Sequence, residues 1–234
     1  MPPASGAVVL AVAGLAREAR IAAGPGVEAV QAGGDADRLR ALLAGHTAAD
    51  LRAVVSFGIA GGLDPALAPG AIVVARAVVS ESAAGPEPFP ASEPLVAGFR
   101  ARLSALGARV VVADLAGVEA AVMTPAAKAA LRARTGAAAV DMESQVAAAY
   151  AAAHGLPFAA LRVVCDPAGR ALPAFAASAL KPNGDPDVSA VLLALLRRDA
   201  KFGELVRLAR DSGEAFRGLS RARALLGLAL GVDA

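Results

Sequence analysis

The chain has 234 residues and a net charge of +2, a size that suits one α/β domain around a single core. Apolar residues make up 56% of it but aromatics only 3%, so the core must be assembled from many small side chains, chiefly alanine and valine. The mild charge gives no reason to expect a nucleic-acid partner, and the single cysteine, Cys165, excludes an intrachain disulfide and a cysteine-based metal site.

Taken in order, residues 7–14 (AVVLAVAG) read as a buried strand, with a helix opening at Leu15. Residues 27–31 form a short strand, 35–44 a helix, and 51–59 a second buried strand that runs into Ala60-Gly61-Gly62. Residues 71–80 are almost all β-branched or small and form a strand. The stretch 83–94 holds four prolines and reads as a long loop with a lid-like or functional role. A helix over 93–106 and a strand over 109–115 follow. Thr124-Pro125 starts the next helix, with Thr as N-cap and Pro in the first turn. A short strand, 137–140, leads through Asp141-Met142-Glu143 into a helix over 144–153 that Gly155 closes. Residues 158–165 form a buried strand ending at Asp166-Pro167. Beyond Pro173 the pattern becomes loop, then three amphipathic helices near 187–198, 202–211 and 214–230. Buried strands alternating with helices imply a single-domain, three-layer α/β/α fold over 1–234. Its central mixed sheet is mostly parallel, and a helical extension begins at about 187.

The longest apolar run, 146–161, is shorter than a membrane span and contains Gly155 and Pro157. The MPPASG start lacks the basic region of a signal peptide, so a cytoplasmic protein is expected. His46 and His154 lie far apart and read as structural. Arg207, Arg210, Arg217, Arg221 and Arg223 recur at helical spacing, as a solvated face or a surface drawn to anionic lipid. A homo-oligomer, a dimer before other states, is expected.

In open α/β sheets ligands sit beyond the carboxyl ends of strands, and three such ends carry unusual residues: 58–62 (GIAGG), 141–143 (DME) and 162–166 (RVVCD). Glycines at the first allow close backbone approach, though a tight turn alone explains them equally. Asp141 and Glu143 stand where a helix dipole favours carboxylates, so capping is one reading. Asp166 ends an apolar strand, either as a cap or as a group held for proton transfer.

The segments VDMES (140–144) and LPFAALRVVCD (156–166), with FGIAGGL (57–63) and PGAIVV (69–74), resemble the signature segments of the nucleoside phosphorylase and nucleosidase superfamily, in order and spacing over about 7–168. The opening AVAGLAREARIA, with VSFGIAGGLDPALAPG, VDMES and RVVCDPAGRALP, is most similar to hopanoid-associated phosphorylases. That resemblance implies cleavage of the N-glycosidic bond of a purine nucleoside, by phosphorolysis of adenosylhopane with inorganic phosphate as co-substrate and no cofactor. It implies Asp166 as general acid to purine N7, Glu143 on the ribose hydroxyls, Met142 against the sugar, and Ala60, Gly61, Gly62 and Cys165 near the nucleoside. Related nucleosidases carry a water-activating glutamate after the first strand. Strict register puts Ala19 there, and Glu18, one residue earlier, is the candidate. The phosphate-holding arginine and serine of purine phosphorylases are replaced by Ser56 and Ile59, which leaves Arg17 and Arg20 at a helix opening as the cations for phosphate. Two rivals stand beside this reading. One is a hydrolytic nucleosidase acting on methylthioadenosine, adenosylhomocysteine or futalosine; the other is a nucleoside-binding module without catalysis. The loop 83–94 with Phe89 and the segment 171–180 with Phe175 are expected to line an apolar end of the site.

Overall fold

The computed structural model describes residues 7–82, 85–172 and 202–232. In chain order these form β1 (Val8–Ala13), α1 (Ala16–Ala22), β2 (Val27–Gln31), α2 (Ala36–Ala44), β3 (Leu51–Gly62), β4 (Ile72–Ser82), β5 (Gly85–Pro90), α3 (Glu93–Arg102), β6 (Val110–Gly117), α4 (Pro125–Thr135), β7 (Ala139–Asp141), α5 (Ser144–Ala153), β8 (Phe158–Asp166) and α6 (Phe202–Leu226). The eight strands make one mixed sheet flanked by helices. Five of the pairings are parallel (β1 with β2 and β3, β3 with β8, β6 with β4 and β7) and three antiparallel (β3 with β7, β4 with β5 and β8). Read around, β3, β8, β4, β6 and β7 close on one another, so the middle of the sheet curls into a ring.

Strands covered on both faces have no solvent side and therefore read as unbroken apolar runs. β8 is buried at all nine positions. Against one face pack Ala22 of α1, Phe99 of α3, and Ala215, Phe216, Leu219, Ala222 and Leu226 of α6. Against the other pack Leu39 and Leu43 of α2 and Val146, Ala147 and Ala151 of α5.

Three expectations change. The stretch 83–94 is not a loop throughout, because Gly85–Pro90 pairs antiparallel with Ala77–Ser82 of β4. Prolines 86, 88 and 90 fall at every second position, and β5 is an edge strand, the one place where missing N–H groups leave no gap in a ladder. The helix expected over 93–106 ends at Arg102 and continues as a 3-10 segment, Ser104–Arg109, kinked at Gly107 (φ 57°). The helices expected at 202–211 and 214–230 are one helix of 25 residues, which runs through Gly213 at a helix cost of about 1 kcal/mol and is anchored by a buried stripe from Ala215 to Leu226. The helix expected near 187–198 lies outside the described residues, as do Phe175 and most of 171–180. Among the described residues no helix is long and apolar enough to cross a membrane.

Candidate active site

The carboxyl ends of β1, β3, β7 and β8 meet, and their polar side chains form two adjoining groups. The first centres on Arg162, fully buried in the middle of β8. Its Nε lies 2.7 Å from Asp141 Oδ2 and its Nη1 3.2 Å from Glu143 Oε2. Nη1 also donates to the Ile59 carbonyl at 3.3 Å, Nη2 donates to Ser56 Oγ, and Nε reaches Ser144 Oγ at 3.3 Å. Arginine suits this position because its planar fork can serve several acceptors at once. Asp141 is held by the N–H groups of Glu143 (3.1 Å) and Ser144 (2.8 Å) and by the Ser144 hydroxyl. It therefore caps the start of α5, as the capping reading of this turn expected, as well as pairing with Arg162.

Glu18 joins this group from α1. Its Oε2 accepts from the N–H groups of Gly14 and Leu15, both at 2.8 Å, and Oε1 from that of Ile59 at 2.7 Å. A glutamate in the first turn of a helix can fold back onto the N-cap N–H, and here it also bridges to β3. Two glycines make room. A Cβ at Gly58 would lie 2.6 Å from Arg162 Nη1 and 2.8 Å from Glu18 Oε1, and one at Gly14 would lie 2.7 Å from Glu143 Oε1.

One guanidinium thus faces three buried carboxyls, so the group holds protons readily. Burial pushes Glu143 up to about 7, against the pull of Arg162, with Asp141 and Glu18 adding to the rise. Burial likewise raises Glu18, opposed by Arg162 and by its backbone donors. A carboxyl that exchanges its proton near neutrality is suited to general acid–base work.

The second group is Asp166 with Lys128, a residue that the sequence reading missed. Asp166 lies beside Gly61 of β3, whose added Cβ would stand 3.3 Å from Oδ2. Lys128, fully buried on α4, donates to Asp166 Oδ2. Burial raises the Asp166 carboxyl above its ordinary range, and Lys128 opposes that rise. Gly58 and Gly61 are three residues apart on β3, so the groups stand roughly 10 Å from each other along the strand. A cavity of about 560 Å³ opens at Asp166, lined by Pro167, Arg170 and Leu172 and by Arg207 and Asp211 of α6.

Not every expected residue reaches this place. Met142 stands at its edge, 3.5 Å from where a Cβ on Gly34 would be, and Ala60 is buried in the strand between the two groups. Gly62 approaches the Pro167 backbone. Cys165 points to the other face, with Sγ 3.4 Å from Ser212 Oγ of α6, and burial lifts its thiol to about 11. Arg17 and Arg20 are exposed. Arg17 lies 4.0 Å over the Phe216 ring and Arg20 donates to the Ala16 carbonyl at 3.3 Å, so the structure does not gather them at the carboxyl groups. Phe89 lines a different cavity, beside Arg40, Tyr150 and His154. Nδ1 of each histidine is bonded to a helix carbonyl four residues earlier. Among the described residues no set of His, Cys, Asp and Glu is grouped as a metal site.

Residues 9–198 match the model of the phosphorylase superfamily, and the chain belongs to that family. That match makes it an enzyme of the phosphorylase class. No curated protein sequence matches it. Its fold is that of several solved structures. The 5′-methylthioadenosine/S-adenosylhomocysteine nucleosidase of Helicobacter pylori, solved as a mutant with 5′-methylthioadenosine in its active site, aligns over 93% of this chain and 98% of its own, with a TM-score of 0.66 and 13% identity. The futalosine hydrolase of Helicobacter pylori aligns over 94% and 97%, with a TM-score of 0.64 and 14% identity. The S-adenosylhomocysteine nucleosidase of Streptococcus pyogenes, in complex with 5-methylthiotubericidin, aligns over 92% and 98%, with a TM-score of 0.63 and 18% identity.

Proposed function

We propose that the chain hydrolyses the N-glycosidic bond of a purine nucleoside. The observation that carries this reading is Glu18, a buried carboxylate fixed by three backbone N–H groups beside Glu143 and Arg162. In the reaction the bond from C1′ to the purine breaks with its electrons going to the base. Asp166, its carboxyl raised by burial, gives its proton to the departing purine. Water adds to C1′ and its proton passes to Glu18. Glu143 accepts hydrogen bonds from the ribose hydroxyls, and Glu18 in its ionised form favours the cationic sugar of the transition state. Solved relatives in fold that bind methylthioadenosine-type ligands support water over phosphate, and so do the outward positions of Arg17 and Arg20.

The sequence resemblance to hopanoid-associated phosphorylases supports a different acceptor, phosphate, and a bulky apolar 5′ group, as in adenosylhopane. One experiment separates the two. Adenosine, 5′-methylthioadenosine, futalosine and a long-chain 5′-alkyl adenosine are incubated with the enzyme, with and without phosphate, and the sugar product is analysed. Free sugar formed at a phosphate-independent rate, and lost in Glu18→Gln, is expected. Sugar 1-phosphate, or turnover that requires phosphate, refutes hydrolysis. A preference for the long-chain substrate assigns the apolar 5′ group, and a preference for methylthioadenosine removes it.

A further inference from the structure

Lys128 occupies the inward face of α4, three residues before buried Leu131, and is itself fully buried. An ammonium taken out of water must find compensation. It donates to Asp166 Oδ2, to the Asp166 carbonyl at 3.4 Å, to the Pro167 carbonyl at 3.0 Å and to the Arg170 carbonyl at 3.2 Å. The helix does not depend on these bonds for its own ends. Thr124 accepts from the Ala127 N–H at its start, and left-handed Gly136 closes it. The lysine therefore serves the 166–170 turn, which borders the 560 Å³ cavity. It occupies one carboxylate oxygen, and among the described residues no side chain is bonded to the other.

We propose that Lys128 is a positioning residue for Asp166: it holds Oδ2 so that Oδ1 is the oxygen presented to the departing purine, and its charge makes that carboxyl a stronger acid. The inference rests on the reading of Asp166 as proton donor. Burial raises the Asp166 carboxyl above its ordinary range. The cation on the non-donating oxygen stabilises the carboxylate that appears once the proton has left, which is when help lowers the barrier. Other charges surround the pair. Arg170 lies in the same turn and is paired with Asp211 of α6, Arg207 of α6 lines the same cavity, and Arg132 of α4 is taken by Asp64. Cys165, next in the chain, has a buried thiol that feels both Asp166 and Lys128.

The test compares wild type, the neutral variants Lys128→Met and Lys128→Gln, and charge-retaining Lys128→Arg. Two quantities are followed against pH: kcat/KM on adenosine and 5′-methylthioadenosine, and adenine binding by calorimetry. Loss of the cation should move the alkaline limb of both profiles upward by about one to three pH units, the effect of an opposite charge beside a carboxylate. Turnover should fall by about tenfold or more as the acid weakens and loses its orientation. Lys128→Arg should lose turnover but keep the limb, which a merely structural lysine would not predict. Folded neutral variants whose limb stays in place overturn the proposal. If both neutral variants fail to fold, Lys128→Arg decides, and a displaced limb or undiminished turnover there overturns it. Asp166→Asn run alongside separates the two levels. An active Asp166→Asn refutes the reading of the site, whereas an inactive one with unmoved Lys128 profiles refutes only the role of Lys128. A wild-type protein that neither cleaves nor binds these probes refutes both.

Discussion

Replacing Arg162 by methionine removes the one cation from the group formed by Asp141, Glu143 and Glu18 while keeping most of the volume of the side chain. Breaking a buried ion pair by deleting one partner costs about 3–5 kcal/mol, because the remaining charge stays buried without compensation. Here two carboxylates lose direct contact, at 2.7 Å and 3.2 Å, and Ser56 and Ser144 lose a donor, so the upper half of that range is expected. Against a total stability of roughly 5–15 kcal/mol the variant should still fold. With a urea slope of about 3 kcal/mol/M, a loss of about 4 kcal/mol lowers the unfolding midpoint by roughly 1.3 M. The loss should also depend on pH. The orphaned carboxyls protonate as pH falls, so the gap between variant and wild type should shrink in acid and be widest above neutrality. Urea titrations at several pH values measure both. A loss below about 1 kcal/mol, or one that ignores pH, would place the group in a solvated setting like that of surface ion pairs and refute the reasoning.

Asp166→Asn should lower kcat by about 100-fold or more, the scale of general-acid catalysis, with little change in adenine affinity; near-normal turnover in a folded variant contradicts the assignment. Glu143 keeps its proton up to about pH 7 in the folded chain, against an ordinary value of 4.5, so the folded state binds a proton that the unfolded chain has released. Folding stability should therefore drop as pH rises through this window and level off above it, and Glu143→Gln should abolish that drop. A stability difference between the two proteins that is flat with pH would remove burial as the cause. Gly58→Ala forces a Cβ to within 2.8 Å of both Arg162 and Glu18, and should cost about 1–3 kcal/mol of stability. It should also displace Glu18 enough to depress hydrolysis, and melting temperature with kcat on one sample checks both.

Much of the site was legible because its residues sit in short contiguous segments at strand ends. VDMES delivers Asp141, Glu143 and Ser144, and RVVCD delivers Arg162 and Asp166. Their side chains lie near one another because those strand ends do. Glu18 was harder to place, since counting from the strand favoured Ala19. The helix begins at Ala16 with Leu15 as N-cap, and that one-residue setting decides which side chain turns back toward the sheet. Lys128 carried almost no signal. A lysine among alanines in PAAKAALRART reads as solvated, and only its spacing from Leu131 marked the buried face.

By itself the sequence determined the order of the buried strands and of the helices between them, because strands covered on both sides must be apolar throughout and helices must show a stripe. It also determined which strand ends carry carboxyls. The tertiary structure decided what lies between those elements and what faces what. The proline-rich segment became an edge strand because β4 offered a free ladder on that side, and two expected helices became one because packing of Ala215 to Leu226 on the sheet outweighs one interior glycine. Arg17 and Arg20 turned outward with the exposed face of α1. The pairing of Lys128 with Asp166 brings together residues 38 positions apart, and no local pattern encodes a contact between charges that only burial forces to meet.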